Sequence, residues 1–296
     1  MEKRSGNAVT IGNFDGFHLG HQSIIRNTLD IASEFSFGSV LVTFTPNPRK
    51  FFGIEDKLIF SDLKKSLILN STGLKRIEYI DFTKVFDMDG RDFIDKYLLN
   101  DFSMRYLVVG ENFRLGKGRG WDILKLTEYG KEKNFKVKVV PSEIYKNEKI
   151  SSSLIRKQLR SGDLSKSEIM LGHSYSIEGV VEKGNRIGTR LGFPTVNIVD
   201  SNCLLPDGVY MTKVLLDGHS YKGATYVGTR QVLKKNKRKI ETHIFDFNED
   251  VYGSAIKVSF LRFKRKGMIF NVEKELVDQI KKDIESIKFD FKNEVC

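Results

Sequence analysis

The sequence predicts two domains: an α/β domain with a parallel sheet, then a mainly antiparallel β-barrel followed by a C-terminal helix. Three observations lead to this prediction. The chain has 296 residues, about twice the usual size of one domain. Its first half alternates short apolar runs with amphipathic segments, as parallel sheets covered by helices do. Its second half has successive β-type runs joined by turns that contain Gly or Asp.

Apolar runs rich in valine and isoleucine predict the strands of the first domain. They cover residues 8–12, 39–44, 77–82, 106–110 and 135–140. Between the first two runs, apolar residues recur at helical spacing from Gly20 to Phe35, and Ser61 with Asp62 predicts the start of a later helix. The alternation favours a parallel sheet with helices on both faces.

The pattern changes within residues 171–176, so we expect the first domain at residues 1–172 and the second at 173–296. Strands of the second domain are predicted at residues 175–184, 208–218, 221–228, 240–247 and 254–263. Steps of three and four residues predict a closing helix. Its apolar positions are Val272, Leu276, Val277, Ile280, Ile284 and Ile287.

The net charge of +11 favours anionic partners such as nucleotides or nucleic acid. Lysines are spread along the chain, however, so a solvated surface is the favoured interpretation and no nucleic-acid partner is expected. The one dense basic patch consists of Lys234, Lys235, Lys237, Arg238 and Lys239.

The sequence gives no sign of a membrane or disulfide protein. No apolar run approaches the roughly 20 residues that cross a bilayer, and the first residues lack the pattern of a signal peptide. Cys203 and Cys296 are far apart and one is the terminal residue, so the sequence suggests neither a disulfide framework nor a cysteine metal site. We therefore expect a cytoplasmic protein.

Residues 12–22, between the first predicted strand and helix, form the strongest motif. Gly12 and Gly16 permit a tight turn, and the spacing of His18 and His21 places both on one side of a helix start. At Gly20 a nucleotide could approach the helix N-terminus, where free N–H groups favour anions. The motif resembles the His-x-Gly-His signature of nucleotidyltransferases, although two histidines that only cap or line the helix are the alternative.

Two later segments should gather at the carboxyl end of the sheet. Residues 110–120 contain four glycines and three basic side chains, which predicts a flexible basic loop suited to phosphates, with an unliganded mobile loop as the alternative. Residues 150–159 place three serines at a helix start and Arg156 one turn later. Such serines cap a helix, and together with the arginine they can also bind a triphosphate.

Residues 188–198 predict a second phosphate site in the barrel half. A glycine-containing loop leads from Gly188 to Thr195 and Asn197, which should share one face of an extended strand. Hydroxyl and amide oxygens are hard ligands that suit Mg²⁺ and phosphate. A plain glycine turn before a strand is the alternative.

Glu241 lies in a β-type run that is otherwise apolar or β-branched. A carboxylate in such a run needs a partner or a task. As a general base it could accept the proton of an alcohol that attacks a γ-phosphate. A charge on the outward face of an edge strand is the alternative.

Together, and in order over nearly the whole chain, these segments resemble the bacterial bifunctional riboflavin kinase/FMN adenylyltransferases, or FAD synthetases. The shared motifs are VTIGNFDGFHLGHQ, VTFTPNP, VVGENFRLG, ISSSLIR, GTRLGFPTVNI, LLPDGVY, IETHIFDF, VYGSAIKVSFL and LVDQIKKDI. The resemblance implies a Rossmann-like nucleotidyltransferase domain followed by a six-stranded flavokinase barrel.

The resemblance also implies the reactions and the site residues. Riboflavin would be phosphorylated by ATP to FMN, and FMN would be adenylylated by ATP to FAD and pyrophosphate, with Mg²⁺ accompanying ATP. The implied catalytic residues are His18, His21 and Glu241. The implied ATP or phosphate ligands are Gly12, Asn13, Phe14, Asp15, Gly20, Ser151, Ser152, Ser153, Arg156, Gly188 and Thr195. Asn112 and Arg114 would bind flavin, and Thr195 and Asn197 would bind the metal.

Some positions depart from the family pattern. Asn47 stands where the family commonly has His, and Ser153 stands where it has Thr. Residues 226–233 lack the usual Asn and Pro-Thr pair, and Gly267 replaces a frequent Glu. The larger departures concern the kinase half.

Two other classes of protein share part of these features. A pantetheine-phosphate adenylyltransferase or a class I aminoacyl-tRNA synthetase would explain the histidine motif but not the barrel half. A flavin-sensing or RNA-binding module could use the basic patch and keep the fold without the chemistry. The histidine pair and Glu241 disfavour that second alternative.

Overall fold

The structure, a computed structural model, describes residues 6–54, 57–183, 187–198, 203–228 and 238–293. Contacts divide the chain into two compact units, Met1–Ser152 and Ser153–Cys296. This division precedes the domain boundary that the sequence predicts at residues 172 and 173, which stays a prediction.

The first unit contains a five-stranded parallel sheet. Its strands are β1 (Asn7–Ile11), β2 (Gly38–Thr45), β3 (Arg76–Asp81), β4 (Met104–Gly110) and β5 (Lys136–Val140). Their spatial order is β3-β2-β1-β4-β5. The order reverses between β1 and β4, so the loops after these two strands flank the crevice where ligands of open α/β sheets bind.

Helices cover this sheet. They are α1 (Leu19–Glu34), α2 (Pro48–Phe51), α3 (Asp62–Asn70), α4 (Gly90–Phe93) and α5 (Ile123–Lys133). Short 3₁₀ turns lie at Phe82–Lys84 and Lys117–Arg119, a π-helix at Ile94–Asp101, and a small ribbon at β6 (Ile144–Tyr145) and β7 (Glu148–Lys149).

Alternate residues of the strands enter separate apolar clusters. Val9 and Leu107 belong to one cluster, whereas Ala8 and Val108 belong to another that includes Ile31 of α1. Because neighbouring strand residues point to opposite faces, both faces of the sheet are covered. The predicted α/β architecture of the first half is confirmed.

The second unit is an antiparallel barrel with helices at both ends of its sequence. Its elements are α6 (Ser152–Ser161), α7 (Leu164–Leu171), β8 (Ser176–Val180), α8 (Ile187–Arg190), β9 (Val196–Ile198), β10 (Gly208–Leu216), β11 (His219–Gly228), β12 (Lys239–Ile244), β13 (Ala255–Lys266) and α9 (Glu273–Asn293). The six strands pair in the order β8-β13-β10-β11-β12-β9. The outer strands are β8 and β9. A β-bridge joins Glu182, just after β8, to Asn197 of β9, so the barrel is nearly closed.

Helix α9 packs on the outside of the barrel. Its Ile287 and Phe291 enter an apolar cluster with Val209, Met211 and Phe245. The predicted closing helix is therefore confirmed. Val272, which the sequence places on its apolar face, precedes the helix and is 56% exposed.

Candidate active sites

The loop between β1 and α1 has one well-defined path. Phe14, Gly16 and Phe17 have positive φ angles of 49°, 84° and 43°. A Cβ atom at Gly16 would lie 2.6 Å from Cδ1 of Ile59, so both backbone and packing require glycine there. Phe14 is buried in a cluster with Ile25, which fixes the loop against α1.

His18 and His21 stack at the start of α1, with ring centroids 3.7 Å apart and 19° between the ring planes. Both imidazoles thus face the same side, as their spacing predicts. A Cβ atom at Gly20 would lie 3.2 Å from Cε1 of His18. A side chain at position 20 would thus press against the His18 ring, and the approach of a nucleotide at Gly20 stays a prediction.

His21 is neutral in the free protein at neutral pH. Its pKa is held well below the ordinary value, first by desolvation of the ring and second by the nearby charge of His18. Its Nδ1 atom is buried and has no hydrogen-bond partner within the described ranges. The first turn of α1 has no acidic residue, so its amide groups favour an anion.

Asp15 anchors this loop. Its carboxylate accepts hydrogen bonds from the backbone N–H groups of Ile59 and Phe60, at 2.9 and 3.3 Å. Its backbone oxygen accepts a hydrogen bond from the Ser152 hydroxyl at 2.8 Å. The side chain of Asp15, predicted to contact the nucleotide, is thus already used within the protein, and it brings Ser152 to the histidine loop.

The other predicted nucleotide ligands are distributed over both units. Gly12 donates its N–H to Val42 at 3.0 Å, and Asn13 follows it in the same loop. Ser153 and Arg156 lie on α6, in the second unit, where the Arg156 guanidinium donates to the Ser153 hydroxyl at 3.4 Å.

The loop after β4 makes several contacts, both within itself and with other parts of the first unit. Arg114 pairs with Asp122 at 2.9 Å, and Leu115 and Trp121 form a backbone bridge. The N–H of Lys117 donates to the Met88 carbonyl at 2.8 Å. These tertiary contacts define the path of the loop, and its flexibility stays a prediction.

Two residues at the start of this loop, before Arg114, have different surroundings. Asn112, predicted to bind flavin, is exposed. Glu111 accepts hydrogen bonds from Lys149 and, at 2.8 Å, from Ser142. The Lys149 and Ser142 hydrogen bonds hold the pKa of Glu111 below its ordinary value. Glu111 thereby ties the β4 loop to the segment that leads to Ser151.

An aromatic cluster near the carboxyl ends of β2 and β3 was missed by the sequence analysis. Phe51 and Phe52 contact Phe82, with centroids 5.3 and 5.8 Å apart, and Phe51 contacts Phe86 at 5.0 Å. Phe52 is 59% exposed and Phe86 is 42% exposed. Exposed, grouped rings are a surface for a planar ligand. The available signal was two pairs of phenylalanines, one pair soon after the predicted strand 39–44 and the other at and just beyond the end of the predicted strand 77–82.

A buried lysine also escaped the sequence analysis. The Lys65 ammonium donates to the Thr43 hydroxyl at 3.2 Å, and the residue is 6% exposed. Burial lowers the pKa of Lys65, and the negative charges of Asp62 and Asp15 oppose part of that shift. The carboxyl end of β2 thus carries a desolvated positive charge.

In the second unit, Glu241 and Asn197 are directly opposite each other on β12 and β9. Opposed residues of an antiparallel pair share a face, with Cβ atoms about 4.5–5.5 Å apart. The two residues are 7% and 9% exposed. The amide oxygen of Asn197 is buried without a hydrogen-bond partner in the described part of the chain. A buried carbonyl oxygen of this kind calls for an unseen donor or cation.

The loop from Gly188 folds closely around Thr195. A Cβ atom at Gly188 would lie 2.4 Å from the Phe193 carbonyl oxygen and 3.0 Å from the Thr195 hydroxyl, so only glycine fits. Thr195 lines a cavity of about 460 Å³ together with Thr242 and residues 247–252. This volume is in the range of small-molecule sites.

The departures from the family pattern lie partly within the described residues. Tyr226 is opposite Glu241 on β11, and a Cβ atom at Gly267 would lie 3.4 Å from its hydroxyl. Residues 229–233 of the altered segment lie outside the described residues.

The basic patch is also only partly described. Lys234, Lys235 and Lys237 lie outside the described residues. Arg238 donates to the Asp207 carboxylate and to the Cys203 carbonyl, each at 3.0 Å. Arg238 therefore stabilises the segment before β10.

The described residues contain neither a metal-binding cluster nor a membrane-spanning helix. No group of three or more His, Cys, Asp or Glu side chains that could hold a metal ion occurs within those ranges. Across the same part of the chain, no helix has both the length and the apolarity to cross a membrane.

The fold and the two sites define a two-module nucleotide-dependent transferase. Residues 1–154 match the family model for FAD synthetase, and residues 171–290 match the one for riboflavin kinase. The chain belongs to the bifunctional riboflavin kinase/FMN adenylyltransferase family, as its sequence motifs predict.

Curated relatives extend over nearly the whole chain, and all three described next are bifunctional riboflavin kinase/FMN adenylyltransferases. The protein of Buchnera aphidicola from Schizaphis graminum is 35% identical, over 96% of this chain and 94% of its own. The Bacillus subtilis protein is 32% identical, over 95% and 92%. The Escherichia coli protein is 30% identical, over 95% and 91%.

A solved structure has the same fold. The crystal structure of a protein from Streptococcus pneumoniae, described as a macrolide-efflux protein, superposes with a TM-score of 0.84 at 27% identity. The match covers 96% of this chain and 94% of that chain.

Proposed function

We propose that this chain makes flavin cofactors in two ATP-dependent steps, from riboflavin to FMN and from FMN to FAD. One observation carries the proposal: models for the two activities match two separate parts of a single chain. The predicted transferase class and the predicted pair of reactions agree with the names of the relatives.

We assign AMP transfer to the loop between β1 and α1. A phosphate oxygen of FMN attacks the α-phosphorus of ATP, the bond to the bridging oxygen breaks, and pyrophosphate leaves. His18, His21 and the N–H groups at the start of α1 are suited to stabilise the charge that develops. An imidazole carries an N–H group even when it is neutral, and His21 would donate it to a phosphate oxygen.

We assign the flavin of this step to the aromatic cluster and the loop after β4. The exposed rings of Phe52 and Phe86 offer an apolar surface on which an isoalloxazine ring can stack. Asn112, in the loop after β4, supplies an exposed amide. Arg114 is paired with Asp122, so its contribution to flavin binding requires the guanidinium to be shared.

We assign riboflavin phosphorylation to β9, β12 and the loop from Gly188. Glu241 accepts the proton of a ribityl hydroxyl, whose oxygen attacks the γ-phosphorus of ATP while ADP leaves. The Asn197 amide oxygen and the Thr195 hydroxyl fit a Mg²⁺–ATP complex, because Mg²⁺ prefers a few protein oxygens alongside phosphate and water. When bound, Mg²⁺ would neutralise phosphate charge.

The test is a product analysis with the purified full chain. Incubation with riboflavin, ATP and Mg²⁺, followed by chromatography, should show FMN first and FAD later. A second incubation with FMN isolates AMP transfer, and chelation of Mg²⁺ should stop phosphorylation. If neither FMN nor FAD accumulates, the proposal is wrong. The cytoplasmic location and the lack of a nucleic-acid partner stay predictions.

A further inference from the structure

His243 links the barrel wall to the loop that carries Thr195. Its Nδ1 atom lies 2.8 Å from the backbone oxygen of Pro194. A carbonyl oxygen can only accept, so the imidazole donates through an Nδ1–H group. The two residues are 49 positions apart, which makes this a contact between separate elements.

The bonded carbonyl has a direct effect on Thr195. The C=O group of Pro194 and the N–H group of Thr195 belong to one planar peptide unit, so fixing the oxygen orients the backbone that leads into Thr195. Pro194 has no N–H group with which to anchor the loop itself. The ladder between β9 and β12 runs from Val196 to Ile198. The imidazole therefore holds the chain just beyond the end of that ladder.

Aromatic neighbours set the orientation of the imidazole. Phe193 of the loop approaches it edge-on, with ring centroids 6.1 Å apart, and Phe245 lies at 5.7 Å. Phe245 is 5% exposed and belongs to the cluster under α9. His243 is two residues after Glu241, so both lie on the same face of β12.

The other described hydrogen bonds of the loop lie within the loop itself or are exposed to solvent. Phe193 and Leu191 donate to the Gly188 carbonyl at 2.8 and 3.1 Å, within the loop. Arg190 pairs with Glu273 at 2.7 Å, but these side chains are 67% and 60% exposed. Exposed pairs contribute little. Within the described ranges, the partly buried His243 bond is thus the main side-chain anchor of the loop.

We infer that His243 is a positioning residue of the kinase site, which holds the Pro194–Thr195 peptide group in the geometry that the Mg²⁺–ATP complex requires. This inference rests on the proposed kinase function. Strand β12 would then have two functions, because it carries the candidate base Glu241 and also positions the loop from Gly188.

The test compares His243→Leu with His243→Asn in the full chain. Asn keeps an N–H donor near the position of Nδ1, whereas Leu keeps only the volume. For His243→Leu we expect kcat/KM for ATP in riboflavin phosphorylation to fall between about fivefold and about a hundredfold. We expect KM for ATP to rise while KM for riboflavin stays within about twofold, and His243→Asn to recover most of the loss.

Two controls test whether the loss is specific to the kinase site. AMP transfer to supplied FMN is assigned to the loop between β1 and α1 in the other unit, and it should be unchanged. His219→Leu removes a similar imidazole–carbonyl contact, to Asp217 at 3.0 Å, on the exposed β10–β11 hairpin, and should leave both reactions unchanged.

Three results would overturn the inference. They are parental kinase kinetics in His243→Leu, equal losses in the Leu and Asn variants, and a rise in KM for riboflavin alone. If the Leu variant unfolds, His243→Gln takes its place in the comparison, because the donor of Gln lies one bond further from the backbone than that of Asn. Equal kinetics in the Gln and Asn variants would then also overturn the inference. Parental protein without kinase activity would instead reject the proposed function.

Discussion

The ionisable residues of the two candidate sites have different surroundings. The histidines at α1 are stacked, and desolvation disfavours the charged form of His21. In the barrel, Glu241 lies opposite an amide whose oxygen has no described partner. Each candidate site thus contains a buried polar atom with no hydrogen-bond partner among the described residues. We expect a substitution in one site to leave the reaction of the other unchanged.

For a single residue of the α1 site, we expect His21→Ala to abolish FAD formation and to leave FMN formation nearly intact. Removing one stabiliser of developing phosphate charge costs on the order of 10² to 10³ in rate. Chromatography of reactions with FMN and with riboflavin measures the two steps separately. His18→Ala should behave alike, and His219→Ala should retain both activities. Parental FAD formation in both variants at α1 would mean that AMP transfer occurs elsewhere.

Glu241→Gln should show the reverse behaviour. The amide has nearly the same shape but cannot accept the proton of the ribityl hydroxyl, so kinase turnover should fall by about 10² to 10⁴. Initial rates of FMN formation from riboflavin provide the measurement, and AMP transfer to supplied FMN should persist. Glu285→Gln on the exposed side of α9 is the matched control. An unchanged kinase rate in a folded Glu241 variant would remove its role as base.

Among elements, α9 owes its position to charge as well as to apolar packing. Arg265 of β13 pairs with Asp283 at 2.6 Å, and Lys264 pairs with Asp290 at 2.7 Å. The Asp290 side chain is 17% exposed. The Lys264 hydrogen bond, assisted by Arg262, holds the pKa of Asp290 below its ordinary value. A carboxylate whose pKa is lowered by folding stabilises the protein at pH values above its ordinary pKa. This stabilisation is lost as the pH falls from the ordinary pKa through the lowered pKa of the folded state.

Asp290→Asn should therefore lower the free energy of unfolding at pH 7 by about 1–2 kcal/mol. The difference between variant and parent should shrink as the pH falls from the ordinary aspartate pKa of about 3.9 towards the lowered pKa of folded Asp290, because the unfolded chain then binds the proton first. Urea unfolding followed by circular dichroism measures it. Asp246→Asn is the control, since Asp246 also faces a lysine of α9, at 3.7 Å, but is 89% exposed. A difference that grows at low pH would contradict the assignment.

For the whole molecule, the second unit includes two helices that precede the predicted domain boundary. Helix α7 contacts β13, and its Leu164, Met170 and Leu171 are buried. A barrel that begins at residue 173 contains every residue assigned to the kinase but lacks this cover.

We therefore expect fragment 153–296 to fold alone and phosphorylate riboflavin. Fragment 173–296 should melt at a lower temperature, because each fully buried apolar side chain contributes about 1.5–3 kcal/mol. Thermal unfolding by circular dichroism and the riboflavin kinase rate test both fragments. If fragment 153–296 is folded but inactive, the kinase site requires residues of the first unit and the division of labour is wrong.

The sequence by itself determined most elements and the membership of the family. Strand positions such as Val9 and Leu107 follow from local apolar patterns, because burial of a strand or helix face imposes a short period on the chain. The motifs around His18 and Thr195 are likewise contiguous, so their glycines and polar residues are visible in the sequence. The predicted order of strands and helices was accordingly confirmed in both halves.

Only the tertiary structure decided which side chains are already occupied and what supports each site. Asp15 bonds to Ile59, 44 positions away, and His243 bonds to Pro194, 49 positions away. The path of the β4 loop and the burial of Lys65 depend on similarly distant contacts. Such pairs have no common period in the sequence, because the chain brings them together through turns and strand order. Local patterns therefore named the candidate reacting residues, whereas the residues proposed to position them became identifiable only in three dimensions.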